Sequence, residues 1–340
     1  MATTTTPPAA SVTKRTSSAR NRVRAARLVQ RQGALVILVV LALIATVVYD
    51  SFGTTANLNS IALQSSFLAV IALGMTFVIF TGGIDLSVGS VFALGGVLAA
   101  WGSQYNTLAA VGLPLAVGSF IGLVQGVIIA KGGLPPFIVT LAGLLFARGL
   151  LLSLTEEGAT TYKVPVGSAF RTLGQQDLFG VRYAVWIVIV LFLMGGLLLR
   201  RTSFGSSVLA IGGQEDAARL MGLAVHRTKI LTYVMSGFLA SLAGVLIASY
   251  TSSGVTIIGV GTELDAIAAV VLGGTLLTGG SGTVLGTLVG VLLLQVIKNV
   301  INQIGSLDSD WQAVVSGTIL LVVVTLQQYL ARVERRLPSR

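Results

Sequence analysis

Asp85 and Ser87 stand two residues apart in Thr81-Gly82-Gly83-Ile84-Asp85-Leu86-Ser87-Val88-Gly89-Ser90, a glycine-rich break between two strongly apolar runs. A carboxyl group beside a hydroxyl can do two things here. It can line or gate a polar path, or it can accept backbone N–H groups freed where a helix begins near Leu86. A carboxylate at membrane depth costs about 2.5–3.5 kcal/mol on insertion scales, so it faces a cavity, a partner or the interface. Both readings stay open on the residues alone. The outline of the break returns in Thr278-Gly279-Gly280-Ser281-Gly282-Thr283-Val284-Leu285-Gly286-Thr287, 197 positions further on. Each copy reads Thr-Gly-Gly, five residues, glycine, then a hydroxyl residue.

Few other residues could do chemistry. Glu263 and Asp265 precede Ala266-Ile267-Ala268-Ala269 and either cap a helix or meet solute entering from outside. Arg148 falls late in an apolar run, where it can snorkel to the outer interface or touch substrate. Trp101, Tyr105, Tyr183 and Trp311 fall at the ends of apolar runs, as interfacial anchors do, and Lys298 and Asn299 read as interfacial too. The chain has no cysteine and one histidine, His226, so it offers neither a disulfide framework nor a His/Cys metal site. It lacks G-x-x-x-x-G-K-[ST], H-E-x-x-H and G-x-S-x-G, so nucleotide binding through a P-loop, zincin chemistry and a serine-hydrolase elbow all drop out. No metal and no cofactor in this chain are expected.

These residues lie on elements built for lipid. The 340 residues are 54% hydrophobic and 10% charged, with a mean hydropathy of +0.90; soluble domains are about 25% charged. A bilayer crossing takes about 20 apolar residues. The candidates in order are 33–49, 61–80, 87–102, 108–130, 136–154, 183–199, 230–249, 264–277, 283–301 and 313–330. The expected fold is an all-α polytopic membrane protein of about ten transmembrane helices.

The net charge of +10 is gathered at the ends and in one central loop, a membrane orientation pattern rather than a nucleic-acid surface. Residues 1–32 read as a disordered basic cytoplasmic tail, 33–330 as the transmembrane domain, and 331–340 as a second cytoplasmic tail. Placing both tails, the Lys131 loop and 200–229 inside puts 17 of 22 Lys and Arg in the cytoplasm. Within 200–229 the segment Gln214-Glu215-Asp216-Ala217-Ala218-Arg219-Leu220-Met221-Gly222 suits a short helix. Its acids sit at the N-terminus and a glycine closes it. Such a helix would expose Ala217, Leu220 and Met221, either tucked against headgroups or docked to a cytoplasmic partner.

The first break resembles the signature of permease subunits of bacterial ATP-binding-cassette importers for ribose, xylose, arabinose and galactose. The resemblance continues through Phe137-Ile138-Val139-Thr140-Leu141-Ala142-Gly143, Ile211–Leu223 and Leu264-Asp265-Ala266-Ile267-Ala268 to Gly286, covering residues 55–330. Within that family, 259–268 and 276–287 are most similar to a galactofuranose importer permease. The resemblance implies an inverted internal repeat and a path for a neutral sugar formed with a second permease copy or paralogue. It also implies a separate ATPase subunit below and an extracytoplasmic sugar-binding protein above, in a bacterial plasma membrane. On it, Thr81, Gly82, Gly83, Asp85, Ser87, Gly89, Asp265, Thr278, Gly279 and Gly280 belong to the path or its signature. Gln214, Glu215, Asp216, Ala217, Ala218, Leu220 and Gly222 would couple to the ATPase. The long Arg-rich N-terminal tail departs from the family's short one.

Two rivals use the same residues. An ion-coupled secondary sugar transporter needs membrane-embedded charges, for which Asp85 and Asp265 are the only acidic candidates. An intramembrane aspartyl protease needs two carboxylates in one site, and the Asp50 and Asp85 settings lack the Gly-x-Gly-Asp expected for the second.

Overall fold

A computed structural model describes residues 33–305 and 310–335, with side chains placed for 33–305 and 311–325. The tail expected at 1–32 lies outside the described residues, as do 336–340 of the second tail. The described residues are mostly helical. The first half holds α1 (Gly33–Val48), α2 (Thr55–Phe80), α3 (Val88–Gly102), α4 (Thr107–Gly132) and α5 (Pro136–Leu154). A cap follows, made of α6 (Ala169–Gln175) and a two-stranded hairpin, β1 (Asp177–Leu178) with β2 (Val181–Arg182). Then come α7 (Tyr183–Arg201), α8 (Ser203–Gly213), α9 (Glu215–Leu220), α10 (Val225–Thr251), α11 (Thr262–Leu272), α12 (Val284–Ile304) and α13 (Asp310–Arg335).

Among the described residues, six helices are long and apolar enough to cross a membrane: α2, α4, α5, α7, α10 and α12. The polytopic all-α expectation therefore holds, but four of the ten expected spans, those at 33–49, 87–102, 264–277 and 313–330, are not among the six. The span expected at 264–277 is helical only to Leu272; α11 has 11 residues, about 16 Å at 1.5 Å per residue. Gly273 to Thr283 is irregular. α3 has 15 residues, about 22 Å by the same rise. The C-terminal boundary expected at 330 is also crossed, since α13 runs on to Arg335.

α2 is the axis of the bundle. It is buried from Ser65 to Phe80 because it is apolar all round, as a core helix must be. α7, α8, α10, α11 and α12 surround it. The packing then repeats. α10 lies against α2, α3 and α4, while α2 lies against α10, α11 and α12; α3 pairs with α4 and α5, and α11 with α12 and α13. Exchanging α2–α5 for α10–α13 leaves these neighbours unchanged. α2 and α10 are antiparallel, since Phe67 meets Tyr250 while Gly74 meets Ser236. The exchange therefore reverses direction, which makes an inverted repeat.

Small residues allow this closeness, as they do between membrane helices generally. Gly118, Gly122 and Gly126 stand four apart on α4 and face α10; a Cβ on Gly122 would overlap the Tyr233 carbonyl, and one on Gly118 the Gly237 carbonyl. Gly112, on the same helix, has open space around it. Forcing atoms into a packed contact costs about 1–3 kcal/mol. Gly122→Val should lower the thermal unfolding midpoint in detergent, and Gly112→Ala should not. Equal midpoints for the two variants would contradict the contact.

Candidate functional site: two helix breaks and the segment beneath them

The first break follows α2. The first glycine of each Thr-Gly-Gly has left-handed backbone, with φ of 78° at Gly82 and 84° at Gly279, a region that favours glycine. Thr81 is buried and donates its hydroxyl to the Val78 carbonyl at 2.8 Å. Gly83 rests against the hydroxyl end of Tyr233.

Asp85 is 1% exposed. Its Oδ1 accepts from the Ser87 backbone N–H at 3.0 Å and the Ser87 hydroxyl at 2.6 Å, and its Oδ2 accepts from the Ser236 hydroxyl at 2.7 Å. The Gln125 amide closes on the same Ser87 hydroxyl at 3.3 Å. Ser87 has one hydroxyl proton, already given to Asp85, so the N–H side of that amide is the side that fits. The carboxyl thus receives the N–H of Ser87, the residue that precedes α3, rather than an N–H of α3 itself; it ties the break to α10 through Ser236 and, by way of Ser87, to α4. Asp85 and Ser87 are enclosed, facing one another and their neighbours rather than an open cavity.

The start of α3 then meets the start of α11. A Cβ on Gly89 would occupy the space of the Gly259 carbonyl and the Glu263 carboxyl oxygen, so the N-terminal turns of the two short helices abut. The loop entering α11 is clamped by Arg148, whose Nη1 donates to the carbonyls of Thr256 at 2.9 Å and Ile258 at 3.2 Å. Arg148 therefore reaches inward to backbone, where the sequence had suggested snorkelling. Asp265, read as a cap or as a contact for entering solute, forms an ion pair with Lys298 of α12. Asn299, read as interfacial, exchanges amide hydrogen bonds with Asn57 at 2.9 and 3.2 Å. None of these partners was visible in the sequence, because each pairing is long-range; a polar residue placed inside an apolar run was the one available signal.

The second break joins α11 to α12 and packs on the first. The Gly280 N–H donates to the Phe80 carbonyl at 3.0 Å, and the Thr278 carbonyl lies 3.4 Å from where a Gly82 Cβ would be. Thr278 itself is exposed and Gly279 buried. A third piece of backbone completes the junction. A Cβ on Gly212, near the end of α8, would overlap the Phe80 carbonyl and crowd the Gly280 nitrogen. The two breaks and the end of α8 are in direct backbone contact.

Gln214 leads directly from that junction into α9. Ala218 is buried with Ile211 and Val225. Glu215 bridges Arg219 at 3.2 Å and Lys229 of α10 at 2.5 Å. Asp216 is exposed, Ala217 half-buried, and Gly222 closes the turn with φ of 79°. On the outward side Leu220 is 90% exposed and Met221 69%. The structure thus brings the residues of both breaks together with the segment that precedes α9; Gly89 and Asp265 stand apart from that junction, where α3 and α11 meet.

Short helices meeting inside an inverted repeat are a feature of many membrane transport folds. The family described as branched-chain amino acid transport system / permease component matches residues 57–324, and the chain belongs to that family. It is 41% identical over 324 residues to the ribose import permease protein RbsC of Escherichia coli K12, covering 92% of this chain and 98% of that protein. It is 39% identical over 297 residues to the inner membrane ABC transporter permease protein YjfF of the same organism, covering 83% and 86%. It is 36% identical over 305 residues to the L-arabinose ABC transporter permease protein AraH of Azospirillum brasilense, covering 89% of each. No solved structure matches the chain.

Leaving a buried donor without an acceptor costs about 1–3 kcal/mol, and Asp85 serves three donors. Asp85→Ala should therefore lower the unfolding midpoint well below that of Asp85→Asn, which keeps an acceptor oxygen. A wild-type midpoint for Asp85→Ala would show that the cluster does not hold the break.

Proposed function

We propose that this chain is the membrane-spanning permease of an ATP-binding-cassette importer that carries a neutral monosaccharide inward. The observation that supports it most is the run of backbone contact from α9 to both helix breaks. In this reading a separate ATPase subunit grips Leu220 and Met221, which are exposed on a helix anchored by Ala218 and Glu215. α9, the end of α8 and the two breaks then move as one body, and access switches from outside to inside. Asp85 acts as a latch that keeps the first break attached to α10 and α4 during the movement. Both chain termini lie in the cytoplasm, and an extracytoplasmic binding protein delivers the sugar.

A sugar moving through lipid leaves hydrogen bonds unmade at several kcal/mol each, so the protein must supply polar groups along the way. The pathway lies between two permease copies, like or unlike. α5 faces away from the bundle, with Phe137, Ile138, Leu145 and Phe146 exposed, and offers the surface for that pairing. The substrate is a pentose or hexose: full-length likeness favours ribose or arabinose, and the local blocks at 259–268 and 276–287 favour galactofuranose.

With the ATPase and binding protein supplied, vesicles holding the wild-type chain should take up labelled sugar on addition of ATP. The Glu215→Ala/Leu220→Ala double variant should lose uptake at least about tenfold, while the protein still reaches the membrane and ATP is still hydrolysed. Unchanged uptake in that variant would remove the coupling assignment. Uptake driven by a proton gradient without ATP would favour a secondary transporter.

A further inference from the structure

A cavity of about 670 Å³ opens beside the β-hairpin, between α2, α10, α12 and the start of α13. It falls in the 300–1,000 Å³ range of small-molecule sites. Its walls are unusual for a surface between apolar helices. The Gln295 amide donates to the Gln64 carbonyl oxygen at 3.0 Å, and Gln64 donates to the Ser60 hydroxyl at 2.9 Å. Asn59 contributes a third amide, held to the Gly180 carbonyl at 3.1 Å. A primary amide has two donors and two lone pairs, so this chain leaves the Gln295 carbonyl and a second N–H on Gln64 and Gln295 for an occupant. Polar groups left facing hydrocarbon are costly, so the cavity suits water or a polar solute.

Charge narrows the solute. The ionised groups that line the wall are Arg182, Asp177 and Lys298. Arg182 pairs with Asp177 at 3.1 Å, and Lys298 is paired from behind the wall by Asp265, so among the described residues each of these charges is offset by a partner. Phe67 and Tyr250 stand at the same wall, their ring centres 6.1 Å apart and their planes inclined by 40°. Amides that accept and donate beside an aromatic face suit a molecule with hydroxyls at its rim and C–H groups on its flat side. That is the chemistry of a neutral sugar ring.

We infer that this cavity is a sugar site held within a single copy of the chain, a waystation distinct from the pathway between two copies. The inference rests on the reading of the chain as a sugar permease and adds a place where the sugar pauses. The site straddles α2 and α12, whose other ends lead into the first break and out of the second. A sugar bridging Gln64 and Gln295 therefore touches the two helices on which both breaks hang.

The test is saturation-transfer nuclear magnetic resonance on the full-length chain in lipid nanodiscs, with D-ribose, L-arabinose, D-xylose and D-galactose each added alone and no binding protein present. The wild type should transfer saturation to at least one of them. Gln64→Leu/Gln295→Leu removes both members of one hydrogen bond, a change that is often near neutral for folding, and frees the half-buried Ser60 hydroxyl from Gln64. It should weaken the dissociation constant at least about tenfold at an unchanged unfolding midpoint. Tyr250→Ala should also weaken it, through loss of the aromatic face. No transfer from the wild type to any of the four sugars, or equal binding by the double variant, overturns the inference. Uptake by the assembled importer is read separately: uptake of a sugar that the isolated chain does not bind ends the waystation and leaves the transport reading intact.

Discussion

A helix interrupted inside a bilayer frees backbone groups that water cannot reach, and each must find a partner within the protein. The structure depends on how this chain meets that requirement. The Phe80 carbonyl, released where α2 ends, accepts the Gly280 N–H from the other break. The Ser87 N–H, released where α3 begins, goes to Asp85. One break thus satisfies the other, and the carboxyl supplies what backbone cannot. Glycine at 212 lets α8 approach close enough to join them, and the inverted packing of α2–α5 and α10–α13 brings the breaks into range.

The same economy of side chains holds α9 in place, as the proposed coupling requires. α9 is a six-residue helix, too short to be stable alone. It is held by Ala218 against Ile211 and Val225, and by Glu215 between Arg219 and Lys229. Between it and the breaks lie only Gln214 and the two glycines that end α8. Backbone packed on backbone has no rotamers to absorb a displacement, so under the proposed function a push on Leu220 would be passed on with little loss. Long flexible side chains at 212 or 280 would both fail to fit and soften the joint.

Sequence reading carried far where the signal is local. The two Thr-Gly-Gly outlines, the apolar runs and the acid-first segment at 214–222 each state a local preference, and the structure builds a local element there. It carried less far where the signal needs a third dimension. Nothing near Asp85 names Ser236, which lies 151 residues away, and nothing near Lys298 names Asp265. Arg148 chose backbone carbonyls as its partners, and carbonyls are present at every position, so composition cannot single them out. α11 was read as too long because Gly273 to Leu277 is small and apolar enough to pass for helix. Hydropathy counts residues in lipid and does not see that the backbone there has turned to meet the other break.

The proposed coupling requires that α9 and the two breaks form one rigid body. The absence of cysteine from the chain allows spin labels to be placed at will, at Asp216→Cys on α9, at exposed Thr278→Cys on the second break, and at Gly149→Cys on α5, where a side chain meets open space. Electron paramagnetic resonance distances would then be compared in the assembled importer with and without ATP. The account predicts a constant distance from 216 to 278 while both shift relative to 149. A 216–278 distance that changes with ATP, with 278 fixed relative to 149, would contradict it.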